Sequence, residues 1–180
     1  MQVVETSIAG VYLVTPAAIV DERGHFARQW DEELFRRRGL STRFPQCNSS
    51  FSAAAGTLRG LHYQASPHGE AKYLRCISGR LFDVVVDVRR DSPSFGRWLG
   101  TELAATTRQW IYVPEGVAHG FLTLEDNTEV LYPVSVPYEP SAERGIRWND
   151  PAFAIQWPIE PRRMSDKDAR WADFRLEAHG

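Results

Sequence analysis

Cysteine, long apolar runs and blocks of like charge are all scarce in this sequence. The two cysteines, Cys47 and Cys76, are too few for a disulfide framework and lack the paired spacing of a metal site. No apolar stretch approaches the ~18 residues that a membrane span requires. Residues 1–14 carry no Lys or Arg before their apolar run, so we expect no secretory signal and a cytoplasmic protein.

Charge and composition set further limits on the function. The 21 basic and 23 acidic residues leave a net charge of −2, which makes nucleic acids and membrane surfaces poor partners at long range. A hydrophobic content of 43% with 24% charged residues is ordinary for a globular protein. At 180 residues the chain is long enough for one sizeable core, and we predict a single domain over residues 1–180.

Short apolar runs alternate with turn residues along most of the chain, which predicts an all-β sandwich or barrel, with a jelly roll as its natural closure. In residues 80–88, apolar side chains alternate with Asp83 and Asp87 across the two strand faces. Ser78-Gly79 is predicted as a tight turn joining two strands. Residues 31–39, with an acidic start and a Gly stop, are the best helix candidate, and a short helical turn is expected in the polar carboxyl-terminal tail.

The stretch GTLRGLHYQASPHGEAKYLRC, residues 56–76, has the composition of strands but contains several cations. Strict alternation puts Arg59 and His62 on opposite faces of their strand, so a shared site requires a bulge, and Gly60 lies where one could form. Lys72 lies in the next strand. The alternative interpretation is that these are edge-strand charges facing water, because charged side chains are mostly exposed.

Residues 112–121, YVPEGVAHGF, contain a Pro-x-Gly-x-x-His pattern ending at His119, which resembles the second signature of the cupin superfamily. A hydrogen-bonded core histidine is the alternative. Metal-binding cupins place His-x-His on their first motif, whereas this chain has His62-Tyr63-Gln64, and Gln is a poor ligand for transition metals. We therefore expect no metal. Tyr132, in the apolar run 128–138, is either a packed core side chain or a proton donor facing a base.

Six segments stand in a fixed order along the chain: DERGHFARQW, QCNSSFSAAAGTLRGLHYQ, KYLRCISGRLFDVVVDVRRDSPSFGRW, YVPEGVAHGFLTLEDNTEVLY, ERGIRWNDP and SDKD. Taken together, they resemble the dTDP-4-dehydrorhamnose 3,5-epimerase family from about residue 5 to residue 170. The resemblance implies a cupin-type jelly roll with short helices, a homodimer, no metal or other cofactor, and epimerisation beside the keto group of a nucleotide-linked sugar.

The resemblance also implies roles for single residues. His62 matches the base, Asp168 the carboxylate that orients it, and Lys72 the cation at the sugar O4. Tyr132 is similar to the proton donor, which lies opposite the base because epimerisation returns a proton to the other face. Arg23 and Arg59 match residues that hold the diphosphate, where guanidinium groups suit paired oxygens. The other substrate-binding matches are Phe26, Gln46, Asn48, His119, Tyr138, Glu143 and Lys167.

Two departures from the family pattern concern recognition rather than chemistry. Arg28 stands where an acidic residue is frequent, which bears on thymine recognition, and Pro133 stands where Lys is frequent, which bears on the local strand. Relatives that epimerise a single carbon, or that act on GDP- or CDP-linked 4-keto sugars, share the catalytic residues and are alternatives. A metal-dependent cupin oxygenase and a non-catalytic sugar-binding cupin are rivals of other classes. The latter has no need of His62, Lys72, Tyr132 and Asp168 together.

Overall fold

Antiparallel strands form two facing sheets in the structure, a computed structural model that describes residues 1–175. The all-β prediction of a cupin-type jelly roll is confirmed. The strands are β1 (Gln2–Glu5), β2 (Tyr12–Thr15), β3 (Ala18–Asp21), β4 (Gly24–Ala27), β5 (Gln46–Ser52), β6 (Leu58–Gln64), β7 (Lys72–Ser78), β8 (Arg80–Asp87), β9 (Trp98–Ala104), β10 (Trp110–Val113), β11 (Val117–Thr123), β12 (Thr128–Val134) and β13 (Glu143–Gly145).

The two sheets differ in strand number and share the central core. The first sheet has six strands in the order β1-β2-β10-β7-β12-β5, and the second has five in the order β13-β6-β11-β8-β9. A separate hairpin is formed by β3 and β4. Between the sheets lies an apolar cluster that includes Leu74, Val85, Ile111 and Val130. This arrangement makes β6 and β11 face β7 and β12 across the interior.

Both predicted helices are present and short. Helix α1 (Glu32–Arg37) begins after Asp31, whose carboxylate accepts the Leu34 N–H, and Gly39 follows with a positive φ. Phe35 of α1 packs on the outer face of the six-stranded sheet. Helix α2 (Asp166–Ala169) lies in the carboxyl-terminal segment. The fold thus places α2 beside the start of β6, where the segment hydrogen-bonds to the strand.

The turn at Gly79 connects strands of different sheets. Gly79 has a φ of +72°, and β7 and β8 end and begin on either side of it, as predicted. The two strands do not pair with each other, because β7 lies between β10 and β12 while β8 lies between β11 and β9. Periodicity indicates that a segment is a strand but carries no information on its partner. The chain crosses here from one sheet to the other.

Candidate functional site

A cleft between the two sheets collects most of the polar side chains that the sequence singled out. A large compartment of about 570 Å³ is lined from β6, β7, β11, β12 and residues 163–168. A small compartment of about 320 Å³ adjoins it and is lined from β5, β6, β7, β12 and residues 138–143. His62, Lys72 and Tyr132 line both compartments. These three side chains therefore stand where the compartments meet.

A β-bulge turns Arg59 and His62 into the same cleft. His119 pairs with His62, and Phe121 pairs with Arg59, so two steps along β11 correspond to three along β6. The extra residue lies next to Gly60, which has a φ of +122°. A Cβ built on Gly60 would lie 2.5 Å from the Gly120 Cα, so only glycine permits this approach. The predicted bulge is confirmed, and Arg59 and His62 both line the large compartment.

His62 is held by a buried carboxylate from the far end of the chain. Its Nε2 lies 2.6 Å from Asp168 Oδ1, and Asp168 Oδ2 accepts the Gly60 N–H at 3.3 Å. Burial alone would raise the pKa of Asp168, but the hydrogen bonds and charge of His62, with the Gly60 and Ser165 bonds, lower it. An ionised carboxylate only accepts hydrogen bonds, so Nε2–H donates to it, and in the neutral imidazole the free lone pair lies on Nδ1. The arrangement suits a base.

Backbone hydrogen bonds explain how Asp168 reaches a residue 106 positions earlier. The Leu58 N–H donates to the Arg163 carbonyl at 2.8 Å, and the Arg163 N–H donates to the Gly56 carbonyl at 3.1 Å. Ser165 then caps α2, its hydroxyl accepting the Asp168 N–H at 3.1 Å. The carboxyl-terminal segment is thus attached to the start of β6, and the first turn of α2 faces His62.

Lys72 is buried on the opposite wall of the cleft. Its Nζ donates to the His62 carbonyl at 3.1 Å and lies 3.8 Å from a Glu70 carboxylate oxygen. Burial lowers the pKa of Lys72, and the charges of Glu70, Asp83 and Glu143 oppose that effect. Burial, followed by the Glu70 charge, raises the pKa of Tyr132, so its hydroxyl remains protonated at neutral pH. Lys72 and the protonated Tyr132 hydroxyl therefore share one junction with His62.

The small compartment and its rim hold most of the remaining predicted residues. Glu143 accepts hydrogen bonds from Lys167 at 2.7 Å and from the Tyr138 hydroxyl at 3.1 Å. Gln46 and Asn48 of β5 line the same compartment. In the large compartment, Arg59 donates to two neutral oxygens, the Ser52 hydroxyl and the Phe51 carbonyl. Among residues 1–175, its guanidinium has no carboxylate partner.

Arg23 and Phe26 are not brought into the cleft by this chain. Both belong to the β3–β4 hairpin, where Arg23 donates to Asp21 and Phe26 is 70% exposed. Phe26 lines a surface hollow together with Arg28. Pro133 leaves its strand intact, because β12 continues through it, with Cys47 as its partner on β5. The two hairpin residues therefore remain unplaced relative to the site.

Sequence reasoning missed two residues that belong to the cleft or its support. Asp83 is fully buried and its Oδ2 lies 2.8 Å from His119 Nε2, while its Oδ1 has no partner among residues 1–175. The sequence feature that could have identified Asp83 is a carboxylate inside an apolar strand, on the face directed between the sheets. Arg163 lines the large compartment, and nothing in its sequence context distinguished it from the adjacent Arg162.

The described residues contain neither a cluster of metal-ligating side chains nor a membrane-spanning helix. Between residues 1 and 175, no group of three or more His, Cys, Asp and Glu side chains is arranged to hold a metal ion. No helix in that same range is both long and apolar enough to cross a membrane.

Known proteins match this chain over the whole region that contains the cleft. The family model for dTDP-4-dehydrorhamnose 3,5-epimerase matches residues 5–175. A dTDP-4-dehydrorhamnose 3,5-epimerase from Shigella flexneri is 41% identical, over 97% of this chain and 96% of the relative. The crystal structure of that enzyme type from Elizabethkingia anophelis superposes with a TM-score of 0.93 at 36% identity, covering 97% of this chain and 96% of that one.

A third match differs in its activity. The structure of a 3'-monoepimerase from Streptomyces bikiniensis, in complex with dTDP-quinovose, superposes with a TM-score of 0.86 at 36% identity. It covers 96% of this chain and 86% of that one. The family model, the curated relative and both structures agree over nearly the full chain. The chain belongs to the dTDP-4-dehydrorhamnose 3,5-epimerase family.

Proposed function

We propose that residues 1–180 form a single-domain epimerase that inverts C3 and C5 of dTDP-4-dehydro-6-deoxy-D-glucose without a metal or other cofactor. One observation carries the proposal: a His62–Asp168 pair, a buried lysine and a partly buried tyrosine meet at one junction of the cleft. Epimerisation beside a ketone needs a base, a cation for the developing oxyanion, and an acid. The junction supplies one side chain for each of these needs.

The proposed chemistry moves one proton at each carbon. His62 Nδ1 removes the proton α to the C4 ketone, and the negative charge of Asp168 stabilises the resulting imidazolium. The bonding electrons pass to the sugar O4, where Lys72 stabilises the enolate. Tyr132 donates its hydroxyl proton to the opposite face of the carbon, and exchange with water then restores both the tyrosine and the histidine. Because protonation of the enolate carbon restores the C4 ketone, the reaction consumes no oxidant or reductant.

The binding assignments extend over both compartments. Arg59 suits the diphosphate because its guanidinium has only neutral partners among the described residues and can pair with phosphate oxygens. His119, held by Asp83, lines the large compartment as a sugar contact. The nucleotide and sugar contacts that we propose around the small compartment and its rim are Gln46, Asn48, Tyr138, Glu143 and Lys167.

A homodimer accounts for the two unplaced residues. The β3–β4 hairpin exposes Ile19, Val20 and Phe26, which are each at least 70% accessible. Exposed apolar side chains grouped in this way are typical of interfaces. We propose that the hairpin docks on a second copy and brings Arg23 and Phe26 to the cleft of that copy. We also propose that the protein acts in the cytoplasm, where nucleotide sugars are made.

Proton NMR in D₂O tests the activity directly. The purified protein is mixed with dTDP-4-keto-6-deoxyglucose without added metal, and the C3 and C5 proton signals are followed. We expect both to be lost by exchange, and the His62→Ala variant to exchange neither. If the unsubstituted protein exchanges neither proton, the proposed substrate is wrong. GDP- and CDP-linked 4-keto sugars, run in parallel, then show whether another nucleotide is preferred.

Epimerisation of one carbon is the second candidate function. It is favoured by the full-length similarity to the 3'-monoepimerase from Streptomyces bikiniensis, which has the same fold at the same identity as the Elizabethkingia enzyme. The NMR experiment separates the two candidates, because a monoepimerase exchanges only one of the two protons.

A further inference from the structure

The chain contains two lysines, Lys72 and Lys167, and both lie at the cleft. Their surroundings differ. Lys167 is half exposed and ion-paired with Glu143 at 2.7 Å. Lys72 is buried, and within residues 1–175 its one short hydrogen bond, at 3.1 Å, goes to the neutral His62 carbonyl. Taking an ammonium group out of water without a counter-charge is costly, and the usual outcome is loss of its proton.

Glu70 provides that counter-charge before any substrate is bound. Its carboxylate lies 3.8 Å from Lys72 Nζ, and its side chain is only 10% exposed. Within residues 1–175, this ion pair is the one polar contact of the Glu70 carboxylate. It lines the small compartment beside Tyr132, so it belongs to the cleft rather than to the outer surface.

The other ionisable groups around Lys72 are already engaged. From β8, Asp83 is bound to His119 of β11, and from β13, Glu143 is bound to Lys167 and Tyr138. His62 of β6 is bound to Asp168, and Tyr132 of β12 stays neutral. Among the carboxylates that face Lys72, Glu70 is thus the one whose single ionic partner is Lys72 itself.

From this geometry we infer that Glu70 is a positioning residue, which keeps Lys72 protonated and directed into the cleft so that the cation is present when the enolate forms. The inference rests on the proposed function for its catalytic meaning. It identifies a role for a side chain that the reaction scheme above does not use. Glu70 itself exchanges no proton with the substrate, and its influence on the reaction passes through Lys72.

The small number of lysines makes a direct measurement possible. Protein labelled with ¹³Cε-lysine gives one NMR signal for each of two lysines, and Lys72→Arg identifies which signal belongs to Lys72. Each signal is titrated against pH in the unsubstituted protein, in Glu70→Gln and in Glu102→Gln. The last is a control, because Glu102 pairs with Arg80 at an exposed site. Lys167 is an internal control in every sample.

We expect Glu70→Gln to lower the titration midpoint of Lys72 by about one to three pH units, the usual effect of losing an adjacent opposite charge. The Lys167 midpoint should move much less, and Glu102→Gln should move neither. In the pH profile of kcat/KM, the decline at alkaline pH should begin at lower pH in Glu70→Gln. A merely structural defect would instead lower the maximum of kcat/KM and leave the pH of the decline unchanged. Glu70→Asp, which keeps the charge, should restore most of the midpoint.

The outcomes distinguish this inference from the proposed function. The titration needs no turnover, so an unchanged Lys72 midpoint in Glu70→Gln overturns the role of Glu70 even if the protein is an active epimerase. A lowered midpoint in a protein that exchanges no sugar proton supports the ion pair and overturns the epimerase proposal. If Glu70→Gln does not fold, Glu70→Ser is titrated instead, and the same two results decide the question.

Discussion

Replacing Asp168 by Asn tests the central pair of the site with little change in shape. The carboxylate is buried at 4% exposure, and its Oδ1 lies 2.6 Å from His62 Nε2. An amide has the same size but no charge, and its NH₂ group can donate to Nε2. That donation would place the imidazole proton on Nδ1, the atom that must be free to accept a proton from the sugar.

The size of the effect follows from the charge that is removed. Two unit charges whose centres are about 4 Å apart interact by about 4 kcal/mol at the effective dielectric constant of ~20 that suits protein sites. A neutral hydrogen bond retains roughly half the strength of a charge-assisted one, which sets a lower estimate of about 2 kcal/mol. Since each 1.36 kcal/mol is tenfold in rate, kcat should fall by about 30- to 1,000-fold.

Steady-state kinetics and dTDP binding together provide the assay. Asp168→Asn should lower kcat while the Kd for dTDP stays within about threefold, because the lost energy concerns the protonated histidine. Asp166→Asn is the matched control, since Asp166 lies on the same helix, is exposed and pairs with Arg170. A kcat for Asp168→Asn equal to that of Asp166→Asn would refute the role of the pair.

The Asp168→Asn substitution should also change how the free energy of unfolding depends on pH in acid. The pKa of Asp168 is lowered in the folded protein, because the His62, Gly60 and Ser165 bonds outweigh burial. A carboxyl with a lowered native pKa stabilises the fold above its unfolded pKa of about 4, and this stabilisation is lost as the pH falls through the native pKa. The difference in unfolding free energy between the unsubstituted protein and Asp168→Asn should therefore narrow below about pH 4.

Two further substitutions test the fold and the cleft. Gly60→Ala should lower the free energy of unfolding by about 2–5 kcal/mol in urea titrations, through a strained backbone and overpacking against Gly120; an unchanged midpoint would contradict the bulge. Arg163→Ala should raise KM by about tenfold with kcat little changed, as expected for loss of one charge-assisted contact. Arg162→Ala is its control, because Arg162 packs on Gly56 and lines no part of the cleft; equal KM values would show that Arg163 does not touch the substrate.

Local features of the fold could be predicted because local physics decides them. The acidic start and Gly stop of α1, the turn at Gly79 and the bulge at Gly60 each depend on a few neighbouring residues. The crossing of the chain from one sheet to the other after β7 could not be predicted, because strand partners depend on contacts across the whole chain. The identity of the site residues came from the family resemblance, since spacing alone left Arg59 and His62 equally consistent with an exposed edge strand.

The missing parts of the site share one cause. Asp83 and Arg163 belong to the cleft or its support through distant segments: Asp83 of β8 is bound to His119 of β11, and Arg163 is held by backbone hydrogen bonds to residues 56 and 58. Which side chains reach the cleft is decided by how the sheets and the carboxyl-terminal segment assemble, and a short stretch of sequence does not contain that information. For Arg23 and Phe26 the situation is reversed. The family resemblance assigns them a binding role, but the single folded chain holds them outside its own cleft.

The meeting of two compartments at His62, Lys72 and Tyr132 has a practical consequence for ligand design. A fragment that fills either compartment already touches all three groups, so two unrelated fragments approach the same point from different sides. Joining them needs only a short linker across that point, and a short linker costs little conformational entropy. Substitutions in one compartment would then change selectivity for half of a ligand without disturbing the three side chains at the junction.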